Sequence, residues 1–495
     1  MRKKPNIILI ILDSARRDMF GCYGNLEGLT PNLDQLADRG LLLMDHYAAG
    51  NGSAPAHVSI FTGHHPARHK VFNNYCDIGD DIRALPSILK RFGYRNYGHT
   101  KFSVVPPSGY GSLFGFDEMI SPENSQSIAR GGLKSYIVSK MKSNPDLWIR
   151  FKNLFDRYMS QHRRMRLISD NFDGRASLTY LLGKIKENKG IAPVFAYSTL
   201  LHPHMPYYPP RAFLNKVFKG QEIDKISYNI QFNLHAYING DFGEARDAME
   251  CVRKCYKADL LYADYLLKEF IDSLKREGLF DNTLLLIMAD HGELLGEHGD
   301  INHGVTVWEE LLSIPCMLYY PEKIEPNSKT NKLTSGLDIV PTILDLIGAL
   351  KSARAELVLD GHSIFDERVD WEDRYLVVDS PPVVLPERLK AYPNTLYKQN
   401  IISRALRTKN YKYIWQSNGE KYLFRTGISE NRENNILDKN EELAMQLHQT
   451  MISYYKGIDA NSKIDEYPIT LSRKAAKITR NPMVREELRR LGYLK

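Results

Sequence analysis

An α/β fold carried by a mostly parallel sheet is what this 495-residue sequence predicts, and three observations predict it. First, three short unbroken apolar runs, Ile7–Leu12, Val194–Leu201 and Leu284–Ala289, read as strands buried on both faces, the habit of parallel sheets. Second, segments with apolar residues at helical spacing alternate with them. Third, each run stops at a side chain able to bind a metal or move a proton. Asp13 follows the first, His202-Pro203-His204 the second, and Asp290-His291 the third. Ligands of open α/β sheets sit beyond the carboxyl ends of the strands, so the three endings are expected to meet at one edge.

The elements follow in order. Thr30-Pro31 opens a helix, with a capping hydroxyl and proline at the first helical position, and Gly40 closes it; Leu33, Leu36 and Ala37 share its inner face. A second helix starts near Ser53 and stops at Gly63. Residues 121–190 read as a helical insertion, with Trp148, Phe151, Phe155 and Tyr158 on one face and Arg150, Lys152 and Arg157 elsewhere. Its alternatives are a subdomain packed on the sheet, a substrate lid, or a basic amphipathic contact with a membrane surface. A helix from about Cys255 to Lys275 carries Leu260, Leu261, Leu267, Phe270, Ile271 and Leu274, with Gly278 as its stop. Leu337–Leu346 forms another, with Pro341 in its first turns. From about residue 370 the pattern changes to short strands at Tyr375–Asp379, Ser403–Thr408, Tyr411–Trp415 and Lys421–Phe424, then a helix from about Asn440 to Tyr455. A final helix is expected at Met483–Leu491. These readings divide the chain into an α/β domain over 1–370 and a smaller antiparallel α+β subdomain with a basic tail over 371–495.

Composition excludes several classes. With 43% hydrophobic and 25% charged residues the chain is an ordinary globular one. No apolar run approaches the ~20 residues that span a bilayer. Five scattered cysteines do not make a disulfide framework; Cys251 and Cys255, one helical turn apart, read as thiols rather than metal ligands. Met1-Arg2-Lys3-Lys4 before Ile7–Leu12 imitates a signal peptide, but Asp13, Arg16 and Arg17 follow at once without a small-residue cleavage site, so a buried strand and a cytoplasmic location are expected. The formal charge of +7 is local: residues 121–190 carry +8, residues 471–495 carry +6, and the remainder −7. A nucleic-acid partner is therefore not expected, and a local basic surface is.

Asp13, Asp290 and His291 form the first chemical constellation. Two carboxylates with one imidazole at strand ends suit a divalent cation, with calcium, magnesium or manganese favoured over a soft-ligand zinc site. The stretch Asp290-His291-Gly292-Glu293-Leu294-Leu295-Gly296-Glu297-His298-Gly299 packs acids, imidazoles and glycines into one loop after a buried strand. Ser53 is the second feature. A hydroxyl at a helix N-terminus sits where free amides and the helix dipole favour an anion; it serves there as a plain cap or, beside a metal, as a nucleophile.

The sequence resembles the sulfatase family of the alkaline-phosphatase-like superfamily. The resemblance rests on Pro5-Asn6-Ile7-Ile8-Leu9 to Asp13, on Gly21-Cys22-Tyr23-Gly24, and on Thr30-Pro31-Asn32-Leu33-Asp34. It continues through Ser53 to Thr62-Gly63, Pro66 and His69, Gly93-Tyr94 leading to Lys101, and His202-Pro203-His204-Met205-Pro206-Tyr207. Asp281-Asn282-Thr283 to Gly299, Glu309-Glu310 to Ile314-Pro315, Leu423 to Glu430, Asn434-Asn435-Ile436 and Leu491-Gly492-Tyr493-Leu494 complete it. The resemblance implies a mixed, mostly parallel sheet flanked by helices and a smaller antiparallel C-terminal subdomain. It also implies one divalent cation, most simply Ca2+, with Mg2+ or Mn2+ as alternatives, on Asp13, Asp290, His291 and Ser53. It places Ser53, His57, Lys101, His202, His204 and His303 among the catalytic residues.

The chain departs from the family pattern in four places. Ser53-Ala54-Pro55-Ala56-His57 has histidine where the formylglycine motif Cys/Ser-x-Pro-x-Arg has arginine. Asp13-Ser14 has one carboxylate of a family pair. Ser103 stands where a histidine follows the lysine, and His303 or Asn302 stands where a second lysine is expected. Fewer fixed positive charges then remain to clamp the ester's oxygens, and histidines help only when protonated. Two enzymatic readings follow. In one, Ser53, converted to formylglycine by a maturase, attacks a sulfate ester. In the other, unmodified Ser53 attacks phosphorus as a phosphodiesterase or phosphotransferase. In the first, His202 or His204 protonates the leaving alcohol. A fold-retaining binding protein without activity is the alternative of a different class. The basic insertion favours an acidic polysaccharide or a lipid head group as the bearer of the ester, with peripheral membrane contact as its other use.

Overall fold

The computed structural model describes residues 4–73, 78, 82–100, 114–120, 174–219, 245–304, 306–381 and 401–459. Eight strands form the main sheet: β1 (Asn6–Leu12), β2 (Leu41–Leu43), β3 (Arg95–Thr100), β4 (Glu118–Ile120), β5 (Val194–Leu200), β6 (Thr283–Ala289), β7 (Cys316–Tyr319) and β8 (Ser328–Thr330). Their order across the sheet is β8-β2-β7-β6-β1-β5-β3-β4. Every neighbouring pair is parallel except the two made by β7, which runs against both β2 and β6. The sheet is thus mixed and mostly parallel.

The apolar runs become strands because both of their faces are covered. Ile7 to Leu12 and Leu284 to Ala289 are completely or almost completely buried along their whole length. The helices that cover the sheet include α1 (Pro31–Ala37), α2 (Ser53–Thr62), α3 (Arg175–Glu187), α4 (Ala245–Arg276) and α5 (Ile339–Leu346). Helix α3 packs on β5 and β3 and against α4, while α2 packs on α5. Helix α4 is longer than its apolar spacing suggested. It begins near residue 245, where Met249, Val252 and Tyr256 turn toward Tyr207, Leu214 and Phe218 in a second apolar cluster.

Register positions the chemistry. Leu12 lies level with Leu200 on one side and Ala289 on the other, so the next residues of all three strands leave the sheet together. The Asp13 N–H donates to the Leu200 carbonyl at 3.0 Å, which extends the ladder one step past the strand.

A separate antiparallel sheet follows, with strands β9 (Tyr375–Ser380), β10 (Ser403–Thr408), β11 (Tyr411–Gln416) and β12 (Lys421–Arg425) in sequential order. Helix α6 (Glu441–Ile458) lays Leu447, Met451 and Tyr455 on Val377, Leu406, Tyr413 and Leu423. Lys412 ties this sheet to Glu309, which follows β6 in the chain. Its side chain is 1% exposed, and its ammonium reaches Glu430 at 2.9 Å and Glu309 at 3.2 Å. Glu309 also accepts from the Tyr47 hydroxyl at 2.6 Å, and Arg407 donates to that same hydroxyl oxygen.

Much of the 121–190 insertion, from residue 121 to 173, and the basic tail with its expected helix at 483–491 lie outside the described residues; Lys101 and Ser103 do too. Among the described residues no helix is long and apolar enough to cross a membrane.

Candidate active site

The turn after β1 is the first wall of the site. Asp13 is fully buried, and Ser14 adopts the left-handed conformation with φ of 64°, uncommon for a residue with a Cβ. The Tyr256 hydroxyl holds this turn by donating to the Ser14 carbonyl at 2.9 Å and accepting from the Arg16 N–H at 2.8 Å. The Ser14 N–H in turn donates to Asp290 Oδ1 at 3.2 Å, and its hydroxyl to Asp13 Oδ1 at 3.1 Å. The strained turn therefore aims Asp13 at the loop that follows β6.

That loop is the second wall. Asp290 and His291 are fully buried, and the His291 N–H returns to Asp290 Oδ1 at 2.9 Å. The next residue has to be glycine: a Cβ on Gly292 would stand 1.9 Å from the Glu310 carbonyl oxygen. His291 Nδ1 faces the Gly292 carbonyl at 2.8 Å, and a carbonyl only accepts, so Nδ1 carries the hydrogen and Nε2 the lone pair. That Nε2 lies 3.7 Å from Asp13 Oδ1 and 3.5 Å from Asp290 Oδ2.

Asp13, Asp290 and His291 each place a ligand atom within 4.8 Å of the others. Asp13 Oδ2 and Asp290 Oδ2 are buried and have no hydrogen-bond partner among the described residues. Burial, and then the Asp290 charge, push the Asp13 carboxyl well above the ordinary range. Burial acts on Asp290 as well, but His291, His57 and the two N–H donors outweigh it and hold that carboxyl below its usual value. Two hard oxygens and one imidazole lone pair converging on a dry point fit a divalent cation.

Ser53 faces the same point from helix α2. It is the first helical residue, follows the extended Gly52, and its hydroxyl donates to His291 Nε2 at 3.0 Å. Helix α2 is buried on every side and ends at Gly63, whose φ of 68° suits a glycine. His57, one turn after Ser53, is fully buried and braces the helix. Its Nδ1 donates to the Ser53 carbonyl at 2.8 Å and lies 3.4 Å from Asp290 Oδ2, while Nε2 meets Thr199 Oγ1 at 3.1 Å.

The second strand ending contributes His202 and His204. His202 Nδ1 meets Asp259 of α4 at 2.8 Å, and its ring packs edge-on against Tyr262, centroids 5.1 Å apart. Burial raises the Asp259 carboxyl, an effect that His202 and His204 partly offset. His204 Nδ1 faces the Met205 carbonyl at 2.5 Å, and its ring lies 5.2 Å from that of His303. The His303 ring lies 4.2 Å from that of His291, tilted by 37°, and its Nδ1 meets Glu293 at 3.0 Å. Burial lowers the pKa of His57 and His204, and burial together with His204 brings His303 down to about 3. All three rings are neutral at neutral pH.

The structure thus gathers Asp13, Ser53, His57, Asp290 and His291, with His303 packed against His291 and His204 against His303, and sets His202 at the adjoining strand end. Glu293 and Asp259 join them without having been singled out from the sequence. Glu293 lay within the quoted loop, and burial pushes its carboxyl up to about 7. Asp259 is an acid between Ala258 and Leu260 in a helical apolar stripe, which is itself a signal that a buried partner exists.

Comparison with known proteins agrees with this architecture. The family model described as Sulfatase matches residues 5–349. A choline-sulfatase of Rhizobium meliloti is 27% identical over 359 residues, covering 70% of this chain and 68% of that protein. An arylsulfatase of Clostridium perfringens is 24% identical over 368 residues, covering 69% and 74%. Among solved structures, the phosphonate monoester hydrolase of Agrobacterium radiobacter superimposes with a TM-score of 0.63 at 17% identity, covering 92% of this chain and 96% of that one. A 2-O glycosaminoglycan sulfatase does so with 0.63 at 15% identity, covering 93% of each. The eight-stranded sheet, the separate four-stranded sheet and the family match over most of the chain lead to one conclusion: this chain belongs to the sulfatase family of sulfuric ester hydrolases.

Proposed function

We propose that the chain hydrolyses sulfate esters at a divalent-cation centre held by Asp13, Asp290 and His291, with Ser53 at the nucleophile position. The observation that carries this reading is the Ser53 hydroxyl, 3.0 Å from His291 Nε2, beside two buried carboxylates whose outer oxygens have no hydrogen-bond partner among the described residues. A divalent cation bound there supplies Lewis acidity to an ester oxygen and makes the serine hydroxyl more acidic. The chain's own residues do the rest. Helix α2 directs its N-terminal amides and dipole at the anionic group. His57 fixes the first turn of α2 and hence the height of Ser53. His303 and His204 present ring edges to the ester, and His202 or His204 gives a proton to the departing alcohol. Ser53 carries the hydroxymethyl group from which formylglycine is made, while His57 stands where the family motif has arginine; the reading takes Ser53 either as encoded or as formylglycine.

A second reading, phosphoryl transfer through unmodified Ser53, is favoured by His57 itself: a neutral, fully buried ring bracing the helix takes the place of the motif's arginine. An acidic saccharide or a lipid head group is the proposed bearer of the ester, the 121–190 segment the proposed specificity element, and 1–370 with 371–495 the proposed domain division.

One experiment separates the readings. Protein purified from its native host is assayed on matched aryl sulfate and aryl phosphate esters, with and without EDTA, and its Ser53 peptide is weighed. The sulfatase reading expects EDTA-sensitive sulfate release, with or without loss of two hydrogens at Ser53. Turnover of the phosphate ester alone, with intact or phosphorylated Ser53, decides for the second reading. EDTA-insensitive turnover, or turnover that survives Asp290→Ala, refutes the cation centre.

A further inference from the structure

Between β6 and β7 the chain makes a single helical turn, Glu309–Leu312, which touches both walls of the site. On the metal side the Gly292 N–H donates to the Leu311 carbonyl at 2.8 Å, and the Glu310 carbonyl fills the place where a Cβ of residue 292 would stand. Gly292 in turn supplies the carbonyl that accepts from His291 Nδ1 at 2.8 Å. The same stretch grips the metal loop again further along: the Trp308 ring stacks on that of His298 at 4.2 Å, and Glu310 meets His298 Nε2 at 3.1 Å. On the nucleophile side the Ala48 N–H donates to the Leu312 carbonyl at 2.8 Å, and Asn51 Nδ2 to the Thr306 carbonyl at 2.9 Å. Residues 48–52 lead directly into Ser53.

One helical turn has too few hydrogen bonds to hold itself in place. Glu309 anchors this one, and the partners of Glu309 come from distant parts of the chain. Its N–H donates to Glu430 Oε2 at 2.9 Å. Its carboxylate accepts from the Lys412 ammonium at 3.2 Å and from the Tyr47 hydroxyl at 2.6 Å. Arg407 donates to that hydroxyl oxygen at 2.7 Å and lies over the Tyr47 ring, 4.9 Å from its centroid. Arg407 is on β10, Lys412 on β11, and Glu430 follows β12. All three are buried, so the charges that locate the turn sit on the second sheet and the loop after it, shielded from water.

We infer that Glu309 is a positioning residue for the proposed cation centre: through it the second sheet sets the turn Glu309–Leu312, and the turn sets His291 against Ser53. The inference rests on the ester-hydrolysis reading and adds to it the part of the chain that holds its two walls in register. Glu309 acts at second hand, through two backbone relays. One runs from the Leu311 carbonyl to Gly292 and on to His291 Nδ1, and keeps Nε2 as the lone-pair end of the ring. The other runs from the Leu312 carbonyl to Ala48 and the approach to α2, and keeps the Ser53 hydroxyl 3.0 Å from that Nε2. Without the Glu309 charge, Lys412 pairs with Glu430 alone and the turn loses its hold on the sheet.

A matched control separates positioning from a general loss of stability. Full-length wild type, Glu309→Gln and Tyr47→Phe are compared with Met451→Ala, which empties a core position of α6 outside this network. Glu309→Gln is expected to weaken calorimetric binding of Mg2+ or Ca2+, and to lower kcat on whichever ester the wild type hydrolyses, by the ~10–100-fold typical of groups that orient metal ligands at second hand. KM stays within about 3-fold, because the ester's own contacts are intact. Tyr47→Phe deletes only the hydroxyl that Arg407 and Glu309 share, and shows the same pattern at about 5-fold or more. Met451→Ala keeps affinity and kcat within about 2-fold of wild type. Solvent exchange of the His291 Nδ1–H, its NMR signal assigned by loss in His291→Gln, adds a readout independent of metal and turnover: it is expected to be at least about 10-fold faster in Glu309→Gln than in Met451→Ala. Wild-type cation affinity in both network variants, or equal losses in Met451→Ala, overturns the inference; if Glu309→Gln does not fold, Tyr47→Phe decides by itself. A wild type that binds no cation and hydrolyses neither sulfate nor phosphate esters overturns the ester-hydrolysis reading instead, and the Nδ1–H exchange then still decides whether Glu309 governs His291.

Discussion

Replacing Asp13 by asparagine is expected to stabilise the metal-free protein and to abolish its stabilisation by metal. Asp13 and Asp290 place carboxylate oxygens within 4.8 Å of each other in a fully buried site. At an effective dielectric of ~20, two unit charges at that distance repel by about 3.5 kcal/mol. The metal-free protein avoids part of this by protonating Asp13, but at pH 8 that proton itself costs about 1.4 kcal/mol for each unit by which the carboxyl has been raised. Asparagine removes whichever of these alternative penalties the carboxyl bears and keeps an oxygen to accept from the Ser14 hydroxyl, 3.1 Å from Asp13 Oδ1 in the wild type. In EDTA the variant should therefore be more stable than wild type by about 2–3 kcal/mol. Metal reverses the order: wild type gains ~4 kcal/mol at a thousandfold excess over Kd, and the variant, short of one anionic ligand, gains little. Urea midpoints at pH 8, in EDTA and in millimolar Ca2+ or Mg2+, read both effects. A variant that is less stable than wild type in EDTA, or that shows the same metal-dependent shift, refutes the assignment of Asp13 to a cation centre.

Three further outcomes follow. Lys412→Met leaves Glu309 and Glu430 without their cation in a buried network and should cost ~3–5 kcal/mol in urea unfolding; a loss under about 1 kcal/mol would show that the network relaxes without it. Gly292→Ala forces a Cβ onto the Glu310 carbonyl, so it should destabilise by ~1–3 kcal/mol and weaken metal affinity in calorimetric titration, whereas an unchanged affinity would mean that the loop shifts as a unit. Glu293 is held at about 7 in the folded chain against 4.5 as its ordinary value, so the native state binds a proton that the unfolded state has released. Its stabilising contribution is full below pH ~4.5 and is lost as pH rises through 7, by about 3 kcal/mol in all; Glu293→Gln measured in EDTA should flatten that part of the stability–pH curve, and an unaltered slope would contradict the raised value.

The sheet was legible because its central strands are buried on both faces, and such strands cannot alternate. Ile7–Leu12 and Leu284–Ala289 carry no polar residue, and the structure pairs them with each other. The meeting of Asp13 with Asp290 and His291 was legible for the same reason, since level strands end level. The start of α4 was not. Its first turns include Glu250, Arg253 and Lys254, and its apolar stripe changes partner from the second cluster to the main core, so no single periodic face runs its full length. The electrostatic character of the histidines was also out of reach. Nothing in the sequence states that His57 braces a helix or that His303 is pressed against another imidazole, and it is the burial at these positions that makes the rings neutral. Lys412 was not singled out within its short strand; only its packing against Glu309 and Glu430 shows it pointing inward.

The central position of β1 has a consequence for how the chain is made. Both of its neighbours lie far ahead in the sequence: Ile7 pairs with Phe195, and Asn6 with Thr283. At ~5–20 residues per second, the ribosome needs roughly 14–55 s after β1 emerges before β6 is available. Until β5 is made both edges of Ile7–Leu12 are unpaired, and until β6 is made one edge still is, the kind of segment that aggregates or recruits a chaperone. Residues 6–12 therefore leave the ribosome long before their second neighbour does, and a nascent chain arrested before residue 283 should stay bound to a holdase, while one extended past 320 lets go.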